Sequence, residues 1–171
     1  MKNAGNTLSV FLVDDDPLFV TAIKHKLREK FKSGIRVSTF LNGESCLQHM
    51  DDKPDLVFLD YYLHPGSEEH MNGLDVLKKI KDISDETEVV MLSSNRAKEI
   101  ITDTINNGAR KYITKGEGTN QQVQAAVNLI IHETVQERML SENRKLNFIM
   151  AGVMVVLGLA ILFIYLRYFS S

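Results

Sequence analysis

The sequence predicts an α/β domain built on a five-stranded parallel sheet with helices on both faces. Short apolar segments rich in β-forming residues alternate with helical patterns five times between residues 8 and 133. This alternation is typical of parallel strands joined by right-handed crossover helices. The chain has 171 residues, of which 44% are hydrophobic and 25% charged. Such a length suits one soluble domain with an appended segment.

The predicted strands are short, and four of the five end next to a polar side chain. We place them at residues 8–13, 35–40, 55–59, 88–92 and 111–114. Asp14 and Asp15 follow the first strand, Asp60 the third, Ser93 the fourth and Lys115 the fifth. The carboxyl ends of parallel strands line one crevice of an open sheet, so we expect these side chains to meet there.

Helical patterns fill the segments between the strands. Asp16 before Pro17 is typical of a capped helix start. Gly108 suits the left-handed end of a later helix. Two apolar stripes are predicted at helical spacing, one formed by Leu18, Ala22, Ile23, Leu27 and Phe31, and one in a last helix from Thr119, formed by Val123, Val127, Ile130, Ile131, Val135 and Met139.

The C-terminal part of the sequence predicts a membrane anchor. Residues 148–166 carry no charge, and as a helix they would be about 28 Å long, close to the thickness of a hydrocarbon core. Basic residues before this run outnumber the single Arg167 after it, which favours a cytoplasmic N-terminal domain at the cell inner membrane. The predicted divisions are an N-terminal arm at 1–7, the domain at 8–133, a helical stalk at 134–146, a transmembrane helix at 147–168 and a tail at 169–171.

Charge and cysteine content exclude several classes of protein. The formal net charge is −2, which gives no basic footprint for a nucleic-acid partner. Cys46 is the only cysteine, so neither an intramolecular disulfide nor a four-thiolate metal site can form. We expect Cys46 to be a buried helical residue.

The strand-end residues predict phosphoryl chemistry with a divalent cation. Asp14, Asp15 and Asp60 would repel one another if brought together, and a hard cation such as Mg²⁺ relieves that repulsion. The Ser93 hydroxyl and the Lys115 ammonium could hold phosphoryl oxygens on the opposite rim. A carboxylate can itself act as the nucleophile and form an acyl phosphate.

The chain resembles the response-regulator receiver family over residues 8–133. The residues that carry the resemblance are FLVDDD at 11–16, PDLVFLD at 54–60, MNGLDVLKKI at 71–80, VVMLSS at 89–94 and GARKYITK at 108–115. The resemblance implies a flavodoxin-like sheet in the order 2-1-3-4-5. It also implies a phospho-acceptor signalling protein that is not an enzyme beyond its own phosphorylation and slow dephosphorylation.

The resemblance assigns a role to each motif residue. Asp60 matches the phospho-acceptor, and Asp15 and Asp14 match the acids that hold Mg²⁺ together with Asp60 and the backbone carbonyl of Tyr62. Ser93, Lys115 and Tyr112 match the hydroxyl, lysine and aromatic residues that bind or sense the phosphoryl group. The implied donor is a histidine kinase or a histidine phosphotransfer protein in a phosphorelay. Membrane lipid is an expected second partner, and weak homodimerisation is left open.

Two other functions remain as alternatives. A degenerate receiver could serve at the membrane as a scaffold that needs no phosphorylation, although the intact acids and Lys115 argue against it. A metal-dependent phosphatase would usually need a second acid two residues after its nucleophile, where this sequence has Tyr62.

The sequence departs from the family pattern in three places. The loop at 61–72 is longer than usual. Gly116 follows Lys115 where the family usually has proline, so we expect a trans peptide bond there. The apolar C-terminal segment stands where an effector domain commonly follows.

Overall fold

The computed structural model describes residues 7–63 and 71–169, and within α5 the side chains of 134–148 and of several later positions lie outside the description. Strands and helices alternate along the chain. They are β1 (Leu8–Val13), α1 (Pro17–Phe31), β2 (Ile35–Phe40), α2 (Gly43–Gln48), β3 (Leu56–Asp60), α3 (Gly73–Ile83), β4 (Glu88–Ser93), α4 (Lys98–Asn106), β5 (Lys111–Thr114) and α5 (Thr119–Phe169).

The five strands form one parallel sheet in the order β2-β1-β3-β4-β5, as predicted. Val13, at the end of β1, is in register with Leu59 of β3. Asp60 is in register with Leu92, one residue before the end of β4. Ser93 is in register with Thr114, directly before Lys115. This register brings the ends of four neighbouring strands to one edge of the sheet.

The sheet is covered on both faces, which explains why its central strands are almost entirely apolar. Every residue of β1 and of β3 is buried. Phe11, Val57, Leu77 and Met91 belong to one core cluster between the sheet and the helices on one face. Cys46 lies in the same cluster as predicted, and burial raises the pKa of its thiol to about 12.

Helix α1 begins as predicted, but its buried face differs from the predicted stripe. The Asp16 carboxylate accepts hydrogen bonds from the backbone N–H groups of Leu18 and Phe19, and Pro17 is the first helical residue. The buried residues are Val20, Ile23 and Leu27, whereas Leu18 is 79% exposed. The prediction was therefore wrong for Leu18 and for Ala22, which is also exposed, because the cap sets the rotation of the helix and turns Val20 towards the sheet.

The chain divides into two compact units, Met1–Leu129 and Ile130–Ser171. In the first unit, Val123 and Val127 of α5 are buried. The predicted stripe residues Val135 and Met139 lie outside the described side chains. Within the part of the chain that the structure describes, no helix combines the length and apolarity needed to cross a bilayer. The predicted transmembrane helix finds no support in that search.

Candidate functional site

Three acidic side chains meet at the carboxyl edge of the sheet, as the strand-end pattern predicts. Asp14 and Asp15 follow β1, and Asp60 is the last residue of β3. Each offers a carboxylate oxygen, and these atoms all lie within 4.8 Å of one another. Asp14 and Asp60 are buried, whereas Asp15 is half-buried. The side chains thus form a compact acidic cluster at the end of the sheet.

Lys115 reaches into this cluster from the end of β5. Its Nζ lies 2.6 Å from Oδ2 of Asp14 and 2.9 Å from Oδ1 of Asp60. The backbone N–H of Lys115 donates to the carbonyl of Ser93 at 2.7 Å, which continues the pairing of β5 with β4. One ammonium therefore bridges the two buried carboxylates.

Burial dominates the electrostatics of the two inner acids. It raises the pKa of Asp14 and of Asp60, and the neighbouring Lys115 ammonium opposes this rise without cancelling it. The Asp14 carboxylate raises the pKa of Asp60 further. Burial also acts to lower the pKa of Lys115, but its contacts with the two acids outweigh it, so that pKa is raised. The site thus holds more negative charge than its lysine compensates.

The residues present fit a magnesium ion. Mg²⁺ prefers oxygen ligands and is commonly held by one or two carboxylates with waters and a phosphate. Asp14, Asp15 and Asp60 supply such oxygens at mutual distances that one cation can span. A divalent cation would also balance the excess charge of the cluster.

Beside the acids, Asn95 joins three of the other predicted site residues. Its backbone N–H donates to Ser93 Oγ at 3.1 Å, and its carbonyl accepts from the Tyr112 hydroxyl at 2.9 Å. Its side-chain nitrogen donates to the Tyr62 hydroxyl at 2.8 Å, and its Oδ1 accepts from the Ala97 N–H. Ser93 is fully buried, whereas Tyr62 and Tyr112 are partly exposed. These contacts fix the loop between β4 and α4.

Tyr112 lies on β5 with its hydroxyl in the loop that follows β4. Partial burial raises the pKa of this phenol, and a hydrogen bond with the Ser93 side chain opposes the rise. The structure thus places Tyr112 in contact with the loop after Ser93, where the sequence-based interpretation puts an aromatic switch. Tyr62 follows β3 as expected, and the role assigned to its backbone carbonyl stays a prediction.

Gly73, the first residue of α3, packs against the end of β3. A Cβ atom at this position would lie 2.1 Å from the carbonyl oxygen of Asp60 and 2.7 Å from Cα of Tyr61. The Gly73 N–H donates to the Tyr61 carbonyl at 2.9 Å. The start of α3 therefore packs directly against the backbone that carries Asp60, and only glycine leaves room for it.

The turn after Lys115 has no proline and is held by Thr119. The described residues contain no cis peptide bond, which confirms the trans bond expected before Gly116. The hydroxyl of the buried Thr119 accepts from the Gly116 N–H at 2.7 Å and donates to the Gly116 carbonyl at 2.8 Å. These two bonds close the turn that leads from β5 into α5.

Two contacts of the site were not predicted from the sequence. The ring centroid of Phe19 lies 4.8 Å from Nζ of Lys115, and Asn95 has the linking position described above. The aromatic side chain at Phe19 was a signal, since it falls outside the predicted apolar stripe and only three residues after the acidic segment. The family resemblance did draw attention to Asn95, two residues after Ser93, as a position beside the path of the hydrolytic water, but it did not predict these hydrogen bonds.

Comparison with known proteins identifies the family. A sequence model of the response regulator receiver domain matches residues 10–128 of this chain. The chain belongs to the response regulator receiver family. Receiver domains are phospho-acceptor signalling proteins and not classical enzymes, they take phosphoryl groups from histidine kinases, and they bind Mg²⁺ through an acidic cluster.

Individual relatives agree with this membership. The protein named Probable C4-dicarboxylate response regulator DctR, from Bacillus subtilis, is 31% identical over 115 residues, which cover 62% of this chain and 45% of that protein. The glycerol metabolism activator of Pseudomonas putida is 28% identical over 122 residues, covering 71% of this chain and 53% of the relative. This receiver chain thus spans about half the length of these curated relatives.

Solved structures share the fold of the receiver. The BeF3-activated DrrB receiver domain is 27% identical with a TM-score of 0.60, and the match covers 74% of this chain and 98% of that one. A CheY-like receiver domain from Methanospirillum hungatei is 20% identical with a TM-score of 0.66, covering 77% of this chain and 98% of that one. The second likeness shows the fold alone.

Proposed function

We propose that this receiver accepts a phosphoryl group on Asp60 in a Mg²⁺-dependent reaction. The donor is a histidine kinase or a histidine phosphotransfer protein, and the reaction belongs to a phosphorelay. One observation carries the proposal: the buried Asp60 carboxylate lies beside Asp14 and Asp15 and is contacted at 2.9 Å by the Lys115 ammonium. A nucleophile, a cation site and a fixed positive charge are therefore within reach of one phosphoryl group.

The transfer step follows from this arrangement. A carboxylate oxygen of Asp60 attacks phosphorus, the bond between phosphorus and the donor nitrogen breaks, and its electron pair stays on the imidazole. Asp14, Asp15 and Asp60 and the backbone carbonyl of Tyr62 would hold Mg²⁺ for this step. When bound, the cation neutralises the charge of the carboxylates and of the phosphoryl oxygens.

Two residues would hold the transferred group and a third would respond to it. The Lys115 ammonium pairs with one phosphoryl oxygen, and the Ser93 hydroxyl donates to another. Movement of Ser93 would alter the loop at Asn95, whose carbonyl accepts the Tyr112 hydrogen bond. Tyr112 is thereby linked to the state of the site, which supports its role as the aromatic switch.

Phosphorylation of the full-length protein with acetyl phosphate tests this proposal. In the presence of Mg²⁺ we expect one acyl-phosphoryl group by intact mass, which alkali or hydroxylamine removes, and none on Asp60→Asn. Asp55→Asn is a matched control at the other end of the β3 segment, since its side-chain oxygen can still accept from the Ser9 N–H. Equal labelling of Asp60→Asn and the parent would contradict the assignment, and an unlabelled parent would favour the scaffold alternative.

The proposal also includes attachment to the cytoplasmic face of the cell inner membrane by residues 147–168. The support is the uncharged run at 148–166, with basic residues concentrated before it. Lipid would then be a partner of the C-terminal segment, and the receiver would face the compartment that contains the phosphoryl donors.

Fractionation and protease protection test the membrane attachment. We expect the full-length protein in the membrane fraction after a carbonate wash, and a variant truncated after residue 146 in the soluble fraction. Protease added to intact spheroplasts should leave the receiver uncut, whereas inverted vesicles should expose it. Full-length protein in the soluble fraction would refute the attachment, and cleavage in spheroplasts would refute the orientation.

A further inference from the structure

We propose that Phe19 is a positioning residue that holds the Lys115 ammonium between Asp14 and Asp60. The centroid of the Phe19 ring lies 4.8 Å from Nζ of Lys115. A cation within about 6 Å of an aromatic ring is attracted to the negative face of the ring. The same nitrogen contacts both buried carboxylates. Asp14, Asp60 and the Phe19 ring thus surround the ammonium on three sides, and we call this arrangement the seat of Lys115. The proposal deepens the proposed function, on which its kinetic part rests.

A series of contacts connects the Phe19 ring to Asp14. The Asp16 N–H donates to Oδ1 of Asp14 at 3.1 Å, and Oδ1 of Asp16 accepts from the Phe19 N–H at 3.2 Å. Lys115 then completes the series from the Phe19 ring to Oδ2 of Asp14. The position of the ring relative to Asp14 is therefore set by two consecutive hydrogen bonds from backbone N–H groups at the start of α1.

Lys115 needs such a seat because its side chain is long and flexible. Its side chain is 21% exposed, and a lysine carries four flexible methylene groups. Gly116 follows at φ +151°, a conformation that other residues rarely adopt. Thr119 fixes the backbone of this turn through its two hydrogen bonds with Gly116. The ring limits where the charged end can go.

The seat has a specific consequence during phosphoryl transfer. Once Asp60 carries a phosphoryl group, its carboxylate charge is replaced by that of the phosphoryl oxygens, and Lys115 must follow them. The attraction between the Phe19 ring and the ammonium requires no charge on Asp60. The ring therefore keeps the ammonium beside the acids while its partner changes, and it prevents Lys115 from turning to solvent.

Kinetics of the full-length protein test the proposal first. Phe19→Leu keeps an apolar side chain but removes the aromatic face, and we expect phosphorylation by acetyl phosphate to slow by about threefold to tenfold. Phe19→Tyr should restore the parent rate. Phe31→Leu is the matched control, because Phe31 lies on the same helix with Lys30 at 5.7 Å from its ring centroid. Its rate should equal that of the parent. In a Lys115→Gln chain, Phe19→Leu should add no further loss.

An NMR signature in unphosphorylated protein tests the seat independently of the reaction. Ring current from Phe19 should shift the ε-methylene protons of Lys115 upfield in the parent and in Phe19→Tyr, and the shift should vanish in Phe19→Leu. Should Phe19→Leu lose its cooperative unfolding, Phe19→Met replaces it with the same readouts. An unchanged Lys115 signal in these variants, or an equal rate loss in the Lys115→Gln chain, would overturn the proposal. If the Lys115 protons are shifted upfield but the parent protein is not phosphorylated, the contact between Phe19 and Lys115 stands and Asp60 is refuted as the phospho-acceptor.

Discussion

The side-chain nitrogen of Asn95 donates to the hydroxyl of Tyr62 at 2.8 Å. Tyr62 lies two residues after Asp60, and Asn95 lies two residues after Ser93. The contact therefore joins the two loops that follow β3 and β4. We expect the Tyr62 ring held by this contact to restrict the approach of water to a group bound to Asp60.

This contact predicts a slow loss of the phosphoryl group. We expect the acyl phosphate to decay faster in Tyr62→Ala than in the parent, because the alanine opens the path for water. Tyr62→Phe keeps the ring but loses the hydrogen bond, which is worth about 0.5–1.5 kcal/mol, so its decay rate should rise by about twofold to tenfold. Decay of labelled protein after removal of the donor measures both. A parent that decays faster than Tyr62→Ala contradicts the prediction.

The raised pKa values of Asp14 and Asp60 predict that the site destabilises the fold when no cation is bound. Between the ordinary carboxyl pKa and the raised value, the native state binds more protons than the unfolded state. The free energy of unfolding therefore falls as pH rises through that window. Asp14→Asn and Asp60→Asn each remove one such carboxylate, so we expect higher melting temperatures than the parent at neutral pH in a chelating buffer.

Thermal unfolding at several pH values measures this effect. Asp16→Asn is the matched control, because asparagine caps a helix about as well as aspartate and the position is exposed. Its melting temperature should stay close to that of the parent. Lower melting temperatures for both inner variants at neutral pH would show that the Lys115 ion pairs outweigh the cost of burying the carboxylates.

Magnesium binding should depend on pH for the same reason. The ion requires deprotonated ligands, so its affinity should fall as acid protonates Asp14 and Asp60, beginning at a higher pH than for ordinary aspartates. Calorimetric titration at about pH 7 and about pH 5 measures the change. Asp15→Asn should weaken binding by roughly tenfold, equivalent to about 1.4 kcal/mol. If the affinity for Mg²⁺ did not change with pH, Asp14 and Asp60 would not be ligands of the ion.

Binding should also stabilise the parent against heat. At a free concentration of about 100 times its dissociation constant, Mg²⁺ should add about 2.7 kcal/mol to the free energy of unfolding. Asp15→Asn should show a smaller rise in melting temperature at the same concentration. An equal rise in both proteins would mean that the stabilising ion binds elsewhere.

A single methyl group should disturb the end of β3. In Gly73→Ala the new Cβ would overlap the Asp60 carbonyl, so α3 must shift, and we expect a loss of about 2 kcal/mol or more in the free energy of unfolding. Gly34→Ala is the control, since no atom lies within 4 Å of its added carbon, and it should change stability by no more than about 0.5 kcal/mol. Urea unfolding measures both, and equal stabilities would contradict the close packing seen at Gly73.

Much of the site could be predicted because its residues stand at strand ends. A strand in a parallel sheet is buried on both faces, so a carboxylate such as Asp60 at the end of an apolar run is conspicuous. The strand order then brings Asp14, Asp60 and Lys115 together. The sequence therefore contains the members of the acidic cluster and their neighbourhood.

The contacts between distant segments could not be predicted in this way. Phe19 and Lys115 belong to opposite ends of the domain sequence, and their approach depends on how α1 is rotated by its cap. That rotation also exposes Leu18 and buries Val20, although both are apolar and either could have faced the sheet. The four hydrogen bonds of Asn95 depend on the path of a loop, which hydrophobic periodicity does not report.

Because Cys46 is buried, the reactivity of its thiol reports transient opening of the core around it. A fully buried thiol with a pKa of about 12 supplies almost no thiolate at neutral pH, so an alkylating reagent must wait for the core to separate. Since the sequence has no other cysteine, the alkylation rate of the unmodified protein reads how often that core is exposed. The same protection means that a cysteine introduced on the surface by mutation can be labelled selectively while Cys46 is kept.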